Sequence, residues 1–105
     1  MNNELQGKVI FLTGGVQGIG RECGLAYARA GATVVVADIN HSAAQAVVSE
    51  MQGPGHLAVQ CDVSSGASVA AAFDATLKSM GRVDAIHNNA AISGPARPLH
   101  ETSEQ

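Results

Sequence analysis

The sequence has 105 residues, of which 46% are hydrophobic and 14% are charged, and its formal net charge is −3 at pH 7. This length allows a single domain, and so high an apolar content excludes a disordered chain. The mild negative charge argues against nucleic acid as a partner. No run of about 18 apolar residues occurs, so no membrane partner is expected. Two cysteines, Cys23 and Cys61, are too few for a disulfide framework, which favours a reduced, cytoplasmic setting.

The first predicted unit is a strand, a tight loop and a helix. Val9–Leu12 is a short apolar run typical of a buried strand, and Thr13-Gly14-Gly15 follows it at once. Apolar residues at helical spacing then predict one buried helix face, which Gly31 terminates. The members of this face are Ile19, Cys23, Ala26, Tyr27 and Ala30.

The same alternation continues to the fourth predicted strand. The next strands are predicted over Thr33–Ala37, Leu57–Cys61 and Val83–His87. A second helix is indicated by Ala44, Val47, Val48 and Met51, and a third by Val69, Phe73, Thr76, Leu77 and Met80, with Ser64 or Ser65 as its N-cap and Gly81 as its end. Strands alternating with helices pair in parallel through right-handed crossovers. We therefore predict an α/β, Rossmann-type doubly wound parallel sheet, with helices on both faces.

A glycine-rich loop joins the first strand to the first helix. Its sequence, Thr13-Gly14-Gly15-Val16-Gln17-Gly18-Ile19-Gly20, would let a pyrophosphate approach backbone N–H groups and the positive end of the helix. Such a loop by itself is equally consistent with a tight turn and close helix packing. Asp38 lies 18 residues after Gly20, at the end of the second strand, close to the roughly 20 residues typical of a ribose-binding carboxylate. The other interpretation of Asp38 is an ordinary N-cap of the second helix.

The motifs together resemble the classical short-chain dehydrogenase/reductase family over essentially the whole chain. The resemblance rests on Thr13-Gly14-x-x-x-Gly18-Ile19-Gly20, Asp38, Asp62-Val63 and Asn88-Asn89-Ala90-Ala91. It implies an oxidoreductase that transfers a hydride between NAD and an alcohol or carbonyl substrate. Residues 1–105 would be the N-terminal portion of its NAD-binding domain, and the full protein would be a homo-oligomer.

The resemblance also implies a cofactor role for each motif. The pyrophosphate and the nearby ribose would be held by Gly14, Gln17, Gly18, Ile19 and Gly20. Asp38 and Ile39 would contact the adenosine, Asp62 and Val63 would flank the adenine, and Asn89, Ala90 and Ala91 would line the path to the nicotinamide ribose. Asn88 would brace the sheet. A carboxylate at Asp38 would repel a 2′-phosphate, so NAD is favoured over NADP.

The chain departs from the family pattern at two places and lacks the family's catalytic groups. Ala91 stands where glycine is usual, and His87 stands where an aliphatic residue is commoner. No Tyr-x-x-x-Lys pair is present, since the lysines are Lys8 and Lys78 and Tyr27 is predicted to be a core residue. We therefore expect the 105 residues alone to be inactive, with a non-catalytic nucleotide-binding or assembly module as the alternative. A methyltransferase is a remoter possibility, against which Thr13 and Asn88-Asn89 argue.

Several other polar residues are given structural roles. His87 is expected to pack and to form hydrogen bonds within the sheet rather than to act in catalysis. His41, His56 and His100 are expected to be solvated loop or cap residues, and no metal-ligand spacing connects them. Arg82 is expected to interact with the end of the third helix in a structural role, and Cys23 and Cys61 are expected to behave as small buried hydrophobic residues.

Overall fold

A computed structural model describes residues 4–89 as a parallel sheet with three helices. The elements in chain order are β1 (Val9–Thr13), α1 (Gly18–Arg29), β2 (Thr33–Asp38), α2 (His41–Glu50), β3 (Leu57–Gln60), α3 (Gly66–Met80) and β4 (Ala85–Asn88). The strand order is β3-β2-β1-β4, and every pair is parallel. The predicted Rossmann-type doubly wound architecture is confirmed.

The two central strands are apolar over Val9–Leu12 and Val34–Ala37 because both of their faces are covered there. Alternate residues pack under α1 and α2 on one face; these are Ile10, Leu12, Val34 and Val36. The residues between them pack on the opposite face under α3; these are Val9, Phe11, Val35 and Ala37. Phe11 meets Phe73 of α3 edge to face, with ring centroids 5.6 Å apart. Such two-sided burial is the reason that β1 and β2 show unbroken apolar runs instead of alternation.

The buried face of α1 agrees only in part with the sequence prediction. Ala30 is buried and Tyr27 packs against the core, as expected. The buried residues within α1 itself are Gly20, Gly24 and Ala28, whereas the side chain of Ile19 is 76% exposed. Ala26 is also exposed. Helix α1 lies so close to the sheet that a Cβ on Gly24 would come 3.0 Å from Leu12 Cδ2 and from Met51 Cε. Small residues therefore mark the packed face, which a pattern of larger apolar residues does not detect.

The caps of α2 and α3 settle two alternatives. Asn40 caps α2, since its side chain accepts a hydrogen bond from the N–H of Ala43 at 3.0 Å. The interpretation of Asp38 as that cap is therefore wrong. Ser65 caps α3 by accepting from the N–H of Ser68 at 3.2 Å. As predicted, α3 ends at Gly81, which adopts the left-handed conformation.

Two histidines assigned to solvent have specific structural contacts. Nδ1 of His56 accepts the backbone N–H of Val34 at 3.0 Å, and its Nε2 lies 2.7 Å from the carbonyl oxygen of Gln52. Nε2 of His41 lies 3.2 Å from the carbonyl oxygen of Ala58. The expected positions are confirmed, since His56 lies in a loop and His41 begins α2, but both rings are half-buried and each is a partner for the backbone of a neighbouring segment. His100 lies outside the described residues.

The start of β4 is fixed by a carboxylate. Asp84 Oδ2 accepts the backbone N–H of Val9 at 2.8 Å, and the N–H of Asp84 donates to the carbonyl oxygen of Val9 at 2.8 Å. Arg82 forms a bidentate pair with Asp84, at 2.9 and 2.6 Å, so its predicted interaction with the end of α3 is wrong. Among the described strands, β4 is an edge strand with four residues, and most of it is exposed.

Candidate functional site

The carboxyl ends of all four strands lie at one edge of the sheet. Thr13 is in register with Ala37 and with Asn88. Hydrogen bonds continue this alignment into the loops, since Gly14 N–H donates to Ala37 O at 3.2 Å and Asn89 N–H donates to Thr13 O at 3.1 Å. The described segments of the predicted site follow these strand ends, so the fold brings them to a common edge. In open α/β sheets this edge is where ligands bind.

The loop after β1 presents an open backbone surface. Gly14 and Gly18 have φ angles of +70° and +61°, in the left-handed region that favours glycine. A Cβ built on Gly18 would meet no atom within 4 Å. The residue faces open space, and a ligand can approach its backbone closely. The geometry fits the phosphate-binding role expected of Gly14 and Gly18.

The N-terminus of α1 is available to an anion. Gln17 is the N-cap residue, it is extended, and its side chain makes no cap hydrogen bond. No acidic residue lies in the first turn. The first N–H groups of a helix have no intrahelical acceptor and carry the positive end of the helix dipole. Because the Gln17 side chain does not accept hydrogen bonds from these N–H groups, they can donate to a phosphate.

Position 20 needs a glycine because α1, the glycine loop and Asn89 come so close together there that a side chain would not fit. A Cβ on Gly20 would lie less than 3.0 Å from the carbonyl oxygen of Gly14 and from Nδ2 of Asn89. The same Asn89 amide donates to the Gly14 carbonyl oxygen at 3.2 Å. Asn89 therefore joins the end of β4 to the glycine loop. Gly20 acts by allowing this contact and differs in that respect from Gly18, which faces open space.

Asp38 lies half-buried at the end of β2, beside the glycine loop. Its Oδ1 accepts the backbone N–H of Asn40 at 2.9 Å, which holds the side chain in a local turn. Within residues 4–89, no side chain pairs with its other oxygen. Asp38 therefore retains an acceptor for a ligand hydroxyl while its position is fixed by the turn.

Asp62 and Val63 follow β3 and begin the segment that leads into α3. Asp62 Oδ1 accepts from the hydroxyl of Ser64 at 2.6 Å and from its backbone N–H at 3.0 Å. These two hydrogen bonds, the hydroxyl first, lower the pKa of Asp62. The carboxylate is therefore ionised at neutral pH and holds the turn before α3. A sequence motif identifies Asp62 but not this supporting contact.

Large apolar side chains are exposed around the same edge. Ile19, Ile39 and Val63 are 76%, 62% and 40% exposed, and each follows a strand end. Apolar side chains flanking an open edge can cover the flat faces of a base. These positions fit the contacts expected from the resemblance. Ala90 and Ala91, the other two predicted site residues, lie outside the described residues.

Thr13 and Asn88 brace the centre of this edge. The hydroxyl of Thr13 donates to Asn88 Oδ1 at 2.8 Å and links β1 to β4. This is the bracing role expected of Asn88. Thr13 belongs to the sequence motif but was given no role of its own there, and its hydrogen bond to Asn88 shows that it supports the site. A groove of about 770 Å³ lies beside them on the α3 face, bordered by Phe11, Phe73 and Ile86.

Over residues 4–89, no three His, Cys, Asp or Glu side chains cluster to hold a metal ion. No helix in that range is long and apolar enough to cross a bilayer. Burial raises the pKa of the Cys61 thiol, which favours its uncharged form. A second cavity, of about 310 Å³, borders Gln6, Arg29 and His56, away from the glycine loop.

Comparison with known proteins gives a consistent result. A family model described as short chain dehydrogenase matches residues 8–105. The 7alpha-hydroxysteroid dehydrogenase of Escherichia coli (strain K12) is 43% identical over 96 residues, which are 90% of this chain and 38% of that protein. The chain thus spans about two fifths of the length of this relative.

Two solved structures share the fold and contain a dinucleotide. A 7alpha-hydroxysteroid dehydrogenase in complex with NADH and 7-oxo glycochenodeoxycholic acid superposes with a TM-score of 0.78 at 40% identity, over 95% of this chain and 41% of that one. The 3-ketoacyl-(acyl-carrier-protein) reductase of Brucella melitensis, in complex with NADH, gives 0.74 at 38% identity, over 79% of this chain and 34% of that one.

Proposed function

Because this chain belongs to the short-chain dehydrogenase family, we propose that the whole protein is an NAD-dependent oxidoreductase acting on a small alcohol or carbonyl substrate. Residues 1–105 are the N-terminal portion of its NAD-binding Rossmann domain. One observation carries the proposal: an open glycine loop, an uncapped helix N-terminus and the carboxylate of Asp38 lie at the same edge of the sheet. The bound nicotinamide supplies the hydride chemistry.

The diphosphate is held by backbone groups. The loop from Gly14 to Gly20 keeps its surface free of side chains at Gly18, and the first N–H groups of α1 donate to the phosphate oxygens. Gln17 and Ile19 border this surface. No lysine or arginine is needed for the binding, since the helix dipole and the N–H groups provide the positive potential.

Asp38 makes the site prefer NAD. Its carboxylate accepts hydrogen bonds from the adenosine ribose, and its charge repels a 2′-phosphate in the same place. Ile39 and Val63 lie against the adenine, with Asp62 beside them. Asn89, Ala90 and Ala91 lead toward the nicotinamide ribose, and the contact of Asn89 with Gly14 fixes the start of that path.

The proton-transfer groups come from outside these residues. Family chemistry uses a Ser, a Tyr and a Lys, the last two as Tyr-x-x-x-Lys. The sole tyrosine, Tyr27, lies on α1, four residues before Gly31, and the lysines are Lys8 and Lys78. This segment therefore binds and orients the cofactor. We propose that residues 1–105 alone do not turn over substrate, that the substrate pocket lies elsewhere, and that the whole protein is a homo-oligomer.

The test is a comparison of NADH and NADPH binding to the purified protein. Fluorescence titration should give tighter binding of NADH. Asp38→Asn keeps an oxygen that can accept from the N–H of Asn40 but removes the charge, so it separates repulsion from loss of the turn. We expect this variant to reduce the preference for NADH by about tenfold to a hundredfold, the usual value of a hydrogen bond to a charged group. Tighter binding of NADPH by the unmodified protein would refute the assignment of Asp38.

Turnover distinguishes the enzyme from a non-catalytic module. NAD reduction at 340 nm with a panel of secondary alcohols, on protein of verified mass, should show activity only where the protein extends beyond these residues. Turnover by the 105-residue chain, with no longer form present, would contradict the proposed division of roles. The mass of the protein in solution, measured by light scattering, tests the homo-oligomer.

A further inference from the structure

A polar contact joins α1 to β4 below the glycine loop. The hydroxyl of Tyr27 is hydrogen-bonded to Nδ1 of His87. Their rings meet edge to face, with centroids 5.7 Å apart and planes 65° apart. Both side chains are half-buried. His87 packs and forms a hydrogen bond as expected, but its partner lies on α1 rather than in the sheet, and the contact also corrects the view of Tyr27 as a plain core residue.

The contact lies on the same helix face as Gly20. Tyr27 follows Gly20 by seven residues, which is about two turns and returns to the same side of a helix. His87 and Asn89 are two residues apart and share one side of the strand path. Helix α1 therefore meets this end of β4 at two places, through Gly20 against Asn89 and through Tyr27 against His87.

Strand β4 is attached to the described sheet along one side only. Among the described strands it pairs only with β1, over the four positions Ala85 to Asn88. Burial, with a smaller contribution from Cys23, raises the pKa of the Tyr27 phenol, so its O–H remains available as a donor. Nδ1 of a histidine ring, where it carries no hydrogen, can accept a hydrogen bond from this hydroxyl.

We propose that Tyr27 and His87 are a positioning pair for the dinucleotide site. Their hydrogen bond holds the end of β4 against α1, so that the amide of Asn89 stays over Gly20 and on the carbonyl oxygen of Gly14. Neither side chain touches the cofactor, and both act through Asn89. The inference rests on the proposed dinucleotide binding and assigns a role to residues outside the family motifs.

A double-mutant cycle with Asn89 tests the pair. Tyr27→Phe removes only the hydroxyl and keeps the ring, and NADH binding is followed by fluorescence titration of the purified protein. We expect NADH to bind about threefold to tenfold more weakly, the value of one ordinary hydrogen bond. In an Asn89→Ala background the same substitution should change NADH affinity by less than about twofold, because the group through which Tyr27 acts is gone.

A matched control separates positioning from general stability. Thr76→Val removes one buried hydroxyl, which donates to the Ala72 carbonyl oxygen at 2.9 Å within α3, far from the loop. It should lower the thermal midpoint and leave NADH affinity unchanged. His87→Leu breaks the contact from the other side, and its effect on NADH binding should not add to that of Tyr27→Phe.

The outcomes distinguish this inference from the proposed function. If the unmodified protein binds NADH and Tyr27→Phe lowers only the thermal midpoint, the pair is structural and the inference is wrong, while the function stands. The inference is also wrong if Tyr27→Phe weakens NADH binding as much in the Asn89→Ala background as in the unmodified protein. If the unmodified protein binds neither NADH nor NADPH, the proposed function fails and the positioning role fails with it.

Discussion

Gly20→Ala is the sharpest test of how α1 meets the sheet. The added Cβ would lie less than 3.0 Å from the carbonyl oxygen of Gly14 and from the amide nitrogen of Asn89. The first of these is a backbone atom and cannot rotate away, so either α1 or the loop must shift. The shift would also separate Asn89 from Gly14, which are hydrogen-bonded at 3.2 Å.

The expected loss of stability follows from three contributions. Overpacking of a tight contact costs about 1–3 kcal/mol. Loss of the Asn89 hydrogen bond costs about 1 kcal/mol. Alanine is favoured over glycine inside a helix by about 1 kcal/mol, which offsets part of the cost. We therefore expect Gly20→Ala to reduce the free energy of unfolding by about 1–3 kcal/mol, and to weaken NADH binding in parallel.

The matched control is Gly24→Ala, one turn further along α1. Its Cβ would lie 3.0 Å from the terminal methyl groups of Leu12 and Met51, which are flexible side-chain ends rather than backbone. The gain in helix propensity should roughly balance the small displacement, so we expect little change. The midpoints of urea unfolding of the two variants are compared with that of the unmodified protein, with one m-value fitted to all three. Equal midpoints for Gly20→Ala and the unmodified protein would refute the close approach at Gly20.

Three further substitutions test other contacts. Gly18→Ala should weaken NADH binding at least tenfold and cost only about 1–2 kcal/mol of stability, the strain of a left-handed alanine; unchanged affinity would contradict the open phosphate surface. His56→Ala leaves the buried N–H of Val34 without its acceptor and should lower the free energy of unfolding by about 1–3 kcal/mol in urea, whereas an unchanged midpoint would rule that contact out. The hydrogen bonds from Arg82 and then from Val9 lower the pKa of Asp84, so its contribution to stability is present above the unfolded pKa of about 3.9 and is lost as the pH falls through the folded value. The difference in free energy of unfolding between the unmodified protein and Asp84→Asn, measured in urea, should therefore be smaller at pH 3 than at pH 7. An equal difference at both pH values would refute the lowered pKa of Asp84.

Local signals were sufficient for the fold and for the order of the site segments. The apolar runs at Val9 and Thr33, the glycine loop and the cap at Ser65 depend on neighbouring residues, and the structure contains each of them. Asp38 could be placed at a strand end because β2 is an unbroken apolar run. The parallel arrangement then requires these strand ends to meet at one edge.

Contacts between distant segments could not be predicted in the same way. His56 bonds the backbone of Val34, 22 residues away, and Tyr27 bonds His87, 60 residues away. The packed face of α1 was assigned only in part because Gly20 and Gly24 carry almost no hydropathy, although they are the residues that allow close contact. Side-chain size, rather than apolar character, decides which face of this helix is buried.

The close approach of α1 to the sheet couples stability to cofactor binding. The small residues that let α1 pack on β1 also bring its uncapped N-terminus next to the end of β4, where Asn89 joins the glycine loop. A change at Gly20 therefore disturbs both packing and phosphate binding, whereas a change at Gly18 alters the open surface and adds backbone strain without disturbing the packing. The ratio of the two effects, affinity lost per unit of stability lost, should be larger at Gly18 than at Gly20. That ordering follows only if the glycines of one motif have different physical tasks, one open to ligand and one closed against Asn89.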